Sequence, residues 1–439
     1  MPRHARLHTL TIACATASVL TAQQTQASGF AVAELSVLGV GTANALVANP
    51  DDAGAIAYNP AAIAFHKNAN NEKISVWSAG AVFLNPNFSV RTATGKHDSQ
   101  GADWHVLPLL NAAIQVDDKW ALGMSVNAPF GLETRWPLDT FPELTRTTTV
   151  PTPLGPQTIP ISAQPTQTKA EILDFTPTLT YAVTDELAVA AGADIYWAKS
   201  AQFNSSLTAV DGDGSGWGFN LSAMYVKDAL SLGLNFHSAA TVSMEGYYTA
   251  LNDTLVAGGA LPPSQSAKLD VSLPWRLQLG VRYEITDQLA AEIDWTRTGW
   301  SEFDELRIDL KPGGTLVTDK NAWDDSNAYR LGVTYQVQPS TQLRLGYSYD
   351  ETPQGDDYYT ARIPDSDRHL FGLGVAQSLG QGWELEAGYM YVMNEDRNYT
   401  GDQQYVPGGP TNGTTAYAGK YEAHAHLLSV GISKRFEAF

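Results

Sequence analysis

Apolar and polar residues alternate with a period of two along most of this chain, from about residue 74 to residue 436. Leu277, Leu279, Val281 and Tyr283 alternate with Gln278, Gly280, Arg282 and Glu284. Tyr329, Leu331, Val333, Tyr335 and Val337 alternate with Arg330, Gly332, Thr334 and Gln336, and the run from Trp383 to Tyr391 obeys the same rule. Successive side chains of a strand point to opposite faces, so one face of the sheet is continuously apolar and the other carries ionisable groups. Short polar turns recur at 117–119, 184–186, 227–228, 286–288, 338–340 and 380–382. Long Gly-, Pro- and Asn-rich connections lie near 85–103, 131–168, 246–266, 311–325, 351–365 and 396–420, with a shorter one at 205–214. Counting between these punctuations predicts about fourteen strands, the first at 74–84, the third at 119–130 and the last at 421–436.

An even strand count, with short turns at one end and long loops at the other, is the pattern of a bacterial outer-membrane barrel. Trp120, Tyr181, Tyr225, Tyr283, Tyr335 and Trp383 sit beside the short turns, where an interfacial girdle belongs. Closure removes sheet edges that lipid could not satisfy. A soluble sandwich would instead need a second layer to cover the apolar face. The predicted fold is therefore all-β: a 14-stranded antiparallel transmembrane β-barrel.

Composition agrees. Charged residues are 17% of the 439, below the usual ~25%, while 37 Gly, 19 Tyr and 11 Trp are present. A helical membrane protein would need repeated apolar runs of about 20 residues, and none occurs beyond the N-terminus. The 46 acidic against 27 basic residues, a formal charge of −19, exclude a nucleic-acid partner, which demands clustered Lys and Arg.

Residues 1–27 read as a secretory signal: Arg3 and Arg6, an apolar stretch from Leu10 to Leu20 too short to span a bilayer, then Thr25-Gln26-Ala27 at a cleavage position. The single cysteine, Cys14, lies inside that stretch and excludes a disulfide framework. Localisation in the bacterial outer membrane follows, with outer-membrane lipid and lipopolysaccharide as surroundings. Leu428, Val430, Ile432 and Phe436 share a face of the last strand; Phe439 resembles the terminal aromatic of outer-membrane barrels, but the alternation makes Phe436 the last aromatic in phase and leaves Glu437-Ala438-Phe439 out of it.

Residues 28–73 do not alternate. They are rich in Ala, Gly, Val and Asn, and a compact small-residue segment ahead of a barrel suits a plug in its lumen. The domain reading is a signal peptide at 1–27, a hatch at 28–73 and the barrel at 74–439.

Ser28-Gly29-Phe30, Glu34-x-Ser36, Gly39-x-Gly41-x-Ala43, Asp51-Asp52-Ala53 and Asn59-Pro60-Ala61 resemble the hatch of the FadL/TodX family of outer-membrane transporters for long-chain fatty acids and other hydrophobic compounds. The resemblance continues through Pro129-Phe130-Gly131-Leu132, Leu273-Pro274-Trp275, Asp294-Trp295-Thr296, Ala328-Tyr329-Arg330 and 363–368. It implies a monomer that takes up an apolar ligand from outside by passive diffusion, gated by the ligand. The ligand passes to a site near the N-terminus and leaves sideways through the wall beside a kink in the third strand. No cofactor, metal or catalytic residue is implied.

Pro129 cannot donate to a ladder and Gly131 weakens one, so Ala128, Pro129, Phe130 and Gly131 are the candidate kink; the plainer alternative is a strand end entering a Pro-rich loop. Phe30, Asn59, Pro60 and Ala61 match hatch elements that contact or sense ligand, or form a turn that merely holds the hatch together. Lys199 falls near the family's basic partner for a carboxylate, with a snorkelling rim lysine as the alternative. The inward charges Arg282, Arg330, Glu292, Asp294 and Glu386 read as a self-neutralising lumen network. The loops 131–168 and 246–266 carry apolar residues that either form a capture groove or pack on each other. The 211–216 run resembles a calcium loop but lacks the closing glutamate, Ser222 standing there, so a surface hairpin turn is expected. His424 and His426 share a strand face without an evident third ligand and read as rim histidines. The function expected is uptake of long-chain fatty acids or other hydrophobic small molecules; the alternatives are an aromatic or alkane hydrocarbon channel, a general porin, an adhesin or phage receptor, and an outer-membrane hydrolase, for which no nucleophile–His–acid cluster is found.

Overall fold

The alternating array folds, in the computed structural model, into strands that close on themselves. The structure describes residues 29–67, 72–100, 103–152 and 155–437. The signal, Cys14, Ser28 and Phe439 lie outside them. Among the described residues the wall has fourteen antiparallel strands. The first six are β1 (Ile74–Thr92), β2 (His105–Gln115), β3 (Trp120–Arg135), β4 (Pro165–Ala182), β5 (Leu187–Ser205) and β6 (Thr208–Lys227). Four interrupted strands follow: β7 (Leu230–His237 and Ala240–Ala250), β8 (Gln265–Leu273 and Trp275–Thr286), β9 (Leu289–Gly299 and Glu305–Leu310) and β10 (Thr315–Lys320 and Ser326–Gln338). The circuit ends with β11 (Thr341–Asp350), β12 (Arg368–Gly380), β13 (Trp383–Asn394) and β14 (Gly419–Glu437). β14 pairs back onto β1 from Ile74↔Glu437 to Arg91↔Lys420, so the barrel has no free seam there.

The apolar phase faces out. Leu279, Val281, Leu345, Leu373 and Val430 are exposed, whereas Gln278, Arg282, Arg344 and Ser429, one residue out of phase, are buried inside. Rings pair beside the short turns, Trp120 with Tyr181 at 4.5 Å and Trp77 with Trp383 at 5.6 Å. No helix among the described residues is long and apolar enough to cross a membrane.

Several segments read as loops are strand. β1 continues to Thr92 and is followed by a short hairpin strand, Gly95–Asp98, where a loop at 85–103 was expected. Only 206–207 separate β5 from β6, and the 211–216 run is mid-strand, paired to β5 and β7 rather than a hairpin turn. Asp and Gly are both turn formers, which hides their period-two pattern: Asp211 and Asp213 point out, while Gly212 lies so close to β7 that a Cβ would stand 3.0 Å from the Glu245 carbonyl oxygen.

The segment 29–67 packs against the inward faces of the strands. Its helix α1 (Val37–Thr42) starts where the Ser36 hydroxyl accepts the Gly39 amide at 3.0 Å. Two 3-10 turns, Ala53–Ala57 and Pro60–Phe65, are capped by Asp52 and Asn59, the second with proline in the first position, where no amide hydrogen is missed. The wall meets this segment backbone to backbone: a Cβ on Gly372 would lie 2.5 Å from the Val40 carbonyl oxygen, and one on Gly280 would lie 3.0 Å from the Ala48 nitrogen. Inward charges complete the attachment. Asp294 accepts the amides of Leu46 at 2.7 Å and Val47 at 3.0 Å, and Glu292 accepts that of Ala48 at 2.6 Å. Arg344 bonds Glu386 and reaches Asp52 at 3.1 Å. Arg282 pairs with Glu292 at 3.8 Å and Arg330 with Asp350 at 3.6 Å. The lumen charges thus neutralise one another and also satisfy polar groups of the inner segment.

Candidate functional site

The wall is interrupted between β2 and β3. Their ladder runs only from Gln115↔Ala121 to Leu110↔Val126. Beyond it His105 to Leu109 pair with β1 and Phe130 to Arg135 with β4, and neither stretch pairs with the other. The cause is local: the β3–β4 register shifts between Asn127 and Phe130, so Ala128 and Pro129 drop out of the ladder and the strand turns away. The far edge of the opening is closed where the Gln100 amide donates to the Arg135 carbonyl at 2.9 Å.

Part of the free β3 edge is taken by the inner segment. The Val32 amide donates to the Pro129 carbonyl at 2.8 Å, the Gly131 amide donates to the Phe30 carbonyl at 3.0 Å, and Ala31 bridges Phe130. This brief strand addition delivers Phe30 into an aromatic cage. Its ring lies 4.8 Å from Trp300, 5.3 Å from Phe303, 5.9 Å from Phe130 and 6.0 Å from Trp323. Beside it a cavity of about 640 Å³ runs to the wall opening, lined by Leu84, Val106, Leu107, Ile363, Val392 and Leu427 among others. Such a volume, apolar over most of its lining but also bordered by Glu34, Glu133, Lys169, Glu171, Asp365 and Arg368, has the size of one elongated small molecule.

The sequence profile of the family described as outer membrane protein transport protein (OMPP1/FadL/TodX) matches residues 18–436. The chain belongs to this family. The long-chain fatty acid transport protein of Escherichia coli O6:H1 is 24% identical over 97% of this chain and 98% of its own length. Outer membrane protein P1 of Haemophilus influenzae is 24% identical over 96% and 98%. In fold, a crystal structure of a Pseudomonas aeruginosa FadL homologue superposes with a TM-score of 0.75 at 19% identity, covering 93% of this chain and 99% of that one. The Pseudomonas putida toluene transporter TodX superposes with a TM-score of 0.66 at 16% identity, covering 92% and 100%. As a FadL/TodX family member the chain is an outer-membrane transport protein and not an enzyme.

Of the residues singled out in the sequence, Phe30, Ala128, Phe130, Gly131 and Lys199 line the main cavity. Pro129 lines a small chamber behind it together with Pro60, Asp174, His237 and Arg276. Asn59 and Ala61 are fully buried deeper in the inner segment, where the Asn59 amide donates to the Val47 carbonyl at 2.8 Å and the Ala223 carbonyl at 3.1 Å. Lys199 shares the outward phase of Ile195 and Trp197 and stands at the outer mouth of the opening, 3.4 Å from Glu171. Glu171 also pairs with Lys169 at 2.9 Å, and Lys169 lies 3.8 Å from Glu133.

The apolar residues of the two long loops divide between packing and exposure, Leu138 and Leu251 being exposed. Trp136, Phe141 and Leu144 are buried with Tyr359, Tyr399 and Tyr417. His424 and His426 face outward with rings 5.7 Å apart, and the Tyr389 hydroxyl lies 2.9 Å from the His426 Nδ1. Among the described residues one trio of acids, Asp52, Glu384 and Glu386, brings ligand atoms within 4.8 Å of one another, but the Arg344 guanidinium already bridges two of them.

Sequence reasoning missed the groups that hold Phe30 in place. The Asp365 carboxylate accepts the Gly29 amide at 2.9 Å and the Thr352 hydroxyl, so a residue 336 positions away fixes the start of the inner segment. Burial raises the Asp365 carboxyl from 3.8 to about 6. The folded protein therefore holds this proton more tightly than the unfolded chain. The associated stability is fully present below about pH 4 and is lost as pH rises through about 6. Replacing Asp365 by Asn, which can still accept from Gly29, is expected to remove a stability change on the order of 3 kcal/mol across that window. Thermal unfolding of the two proteins between pH 4 and 8 measures it; parallel profiles would refute the assignment.

Proposed function

We propose that this protein takes up long-chain fatty acids, or other hydrophobic small molecules of similar length, by passive diffusion with lateral exit through the wall. The observation that carries the reading is the mainly apolar cavity of about 640 Å³, which runs to the opening between β2 and β3 while residues 29–67 pack against the inward faces of the strands. An amphiphile gains about 0.8 kcal/mol per methylene buried in a dry slot, so a sideways passage from slot to bilayer keeps its chain out of water throughout. In this reading residues 28–73 are the hatch, and Phe30 with Asn59, Pro60 and Ala61 is its ligand-sensing part. Ala128, Pro129, Phe130 and Gly131 form the exit, and Lys199 steers acids at its mouth. The barrel closes on its own first and last strands, which supports action as a monomer set in outer-membrane lipid and lipopolysaccharide.

The names of the relatives support both a fatty-acid and a hydrocarbon substrate. Uptake of oleate, toluene and hexadecane by a transporter-null strain expressing the protein decides between them. Restored oleate uptake is expected; accumulation of none of the three would defeat the reading, as would large, ligand-independent ion conductance in planar bilayers, the mark of a porin.

A further inference from the structure

We infer that Met393, His424 and His426 form a binding site for a cuprous ion on the outer surface of the barrel, at the long-loop ends of β13 and β14. The site is independent of the transport pathway.

Two neighbouring strands bring the three side chains together. His424 and His426 lie two positions apart on β14 and share its outward face, with ring centroids 5.7 Å apart. Met393 on β13 is the direct ladder partner of His424, so its side chain points the same way, and it is 40% exposed. Cβ atoms of such opposed residues stand about 4.5–5.5 Å apart, within reach of one shared ion. The His424 imidazole makes no hydrogen bond among the described residues, its contacts being with the rings of Tyr391 and His426. The His426 ring meets the Tyr389 hydroxyl through Nδ1 at 2.9 Å, which leaves Nε2 as the ligand atom. A hydrogen bond to the second ring nitrogen orients an imidazole in the same way at metal centres. Tyr391, the ladder partner of His426, lies 5.2 Å from that ring and 6.3 Å from the ring of His424, and narrows the rotamers open to both.

The donor set chooses the metal. Calcium and magnesium take oxygen ligands, and zinc takes imidazole, thiolate or carboxylate. Two neutral imidazoles with a thioether form a soft set, the kind that selects Cu(I). Lys96, whose charge acts on His424, is itself paired with Asp98 and Glu422 at 3.7 Å each. An interfacial girdle accounts for Tyr389 and Tyr391. It gives no reason for two imidazoles and a thioether at adjoining positions. His424 borders the outer end of the main cavity, while His426 and Met393 stand outside it. The third ligand was hidden in the sequence because it comes from the preceding strand, across a long connection.

The test uses the full-length protein without a polyhistidine tag, in lipid nanodiscs. It is titrated anaerobically with Cu(I), kept reduced by ascorbate, in competition with bicinchoninate, and separately with Zn²⁺. Wild type is expected to bind one equivalent of Cu(I). His424→Ala and His426→Ala should each weaken that binding at least about tenfold. Met393→Leu, which keeps the bulk and removes the sulfur, should weaken Cu(I) by a similar factor and leave Zn²⁺ within about twofold. Copper X-ray absorption supplies a second readout: a sulfur scatterer in wild type that is absent from Met393→Leu. Cu(I) binding by wild type no tighter than by the His424→Ala/His426→Ala double variant overturns the site. Equal Cu(I) affinity in wild type and Met393→Leu, or a wild-type spectrum without sulfur, overturns the copper assignment. The three side chains face away from the lumen, so the heat-dependent gel shift of each variant should match wild type. Should a histidine variant fail that control, the comparison of Met393→Leu with wild type decides.

Discussion

Gly131→Trp is expected to reduce ligand uptake by about tenfold or more while leaving the barrel folded, a change of at least ~1.4 kcal/mol in the passage barrier. Gly131 sits on the β3 edge that β2 leaves free and lines the main cavity. A Cβ there would find the Ala170 carbonyl oxygen at 3.7 Å and Val32 at 3.9 Å, ordinary contacts that require no movement of the backbone. The amide of residue 131, which donates to the Phe30 carbonyl, is untouched by the substitution. The indole therefore adds bulk to the passage and subtracts nothing from the fold. Uptake is measured at matched outer-membrane amounts, with the heat-dependent gel shift of a folded barrel as the control. Unchanged import would rule out exit at this point.

Arg344→Met should be the most destabilising single change in the lumen, at about 3–5 kcal/mol, because it removes one member of a buried charge cluster and strands the rest. Arg344 is 2% exposed, bonds Glu386 and Asp52, and packs along Gly41. Without it the carboxylates of Asp52, Glu384 and Glu386 face one another with no cation between them. Asp52 caps the Ala53–Ala57 turn, so the cost falls on the inner segment more than on the wall. Two readouts should move together: a lower unfolding temperature and a higher single-channel conductance as the segment loosens. Adding Glu386→Gln removes one stranded charge and should recover part of both. A variant with wild-type stability and conductance would show that the ion cluster does not hold the segment.

Most of the wall was legible because period two survives wherever one face meets lipid and the other a packed lumen. Residues whose side chains carry no hydropathy contrast defeated it, as with the Asp-Gly run in β6, where turn chemistry and strand phase use the same amino acids. Lys199 is a different case. Counting in twos from Ile195 and Trp197 already puts it on the outward face, so proximity to a family motif obscured a phase that was there to be read. Phe30 was legible from its motif, but its cage was not. Trp300, Phe303 and Trp323 come from interruptions in or after β9 that no local pattern joins to the N-terminus. The same holds for Asp365, whose role depends on its contact with Gly29 across the lumen.

The seam between β1 and β14 constrains the order of events during assembly. Its rungs join the start of the barrel to the last strand of the chain, so the wall cannot shut until the C-terminal residues have been delivered. Loop-closure entropy makes such distant pairings the late steps of folding. Residues 29–67 precede β1, yet they end enclosed, touching glycines on strands as remote as β12. Threading them in afterwards would require reopening many rungs. They must therefore already lie in the cleft of the unfinished sheet when the seam zips, which makes a segment that precedes every strand of the wall among the last to find its place.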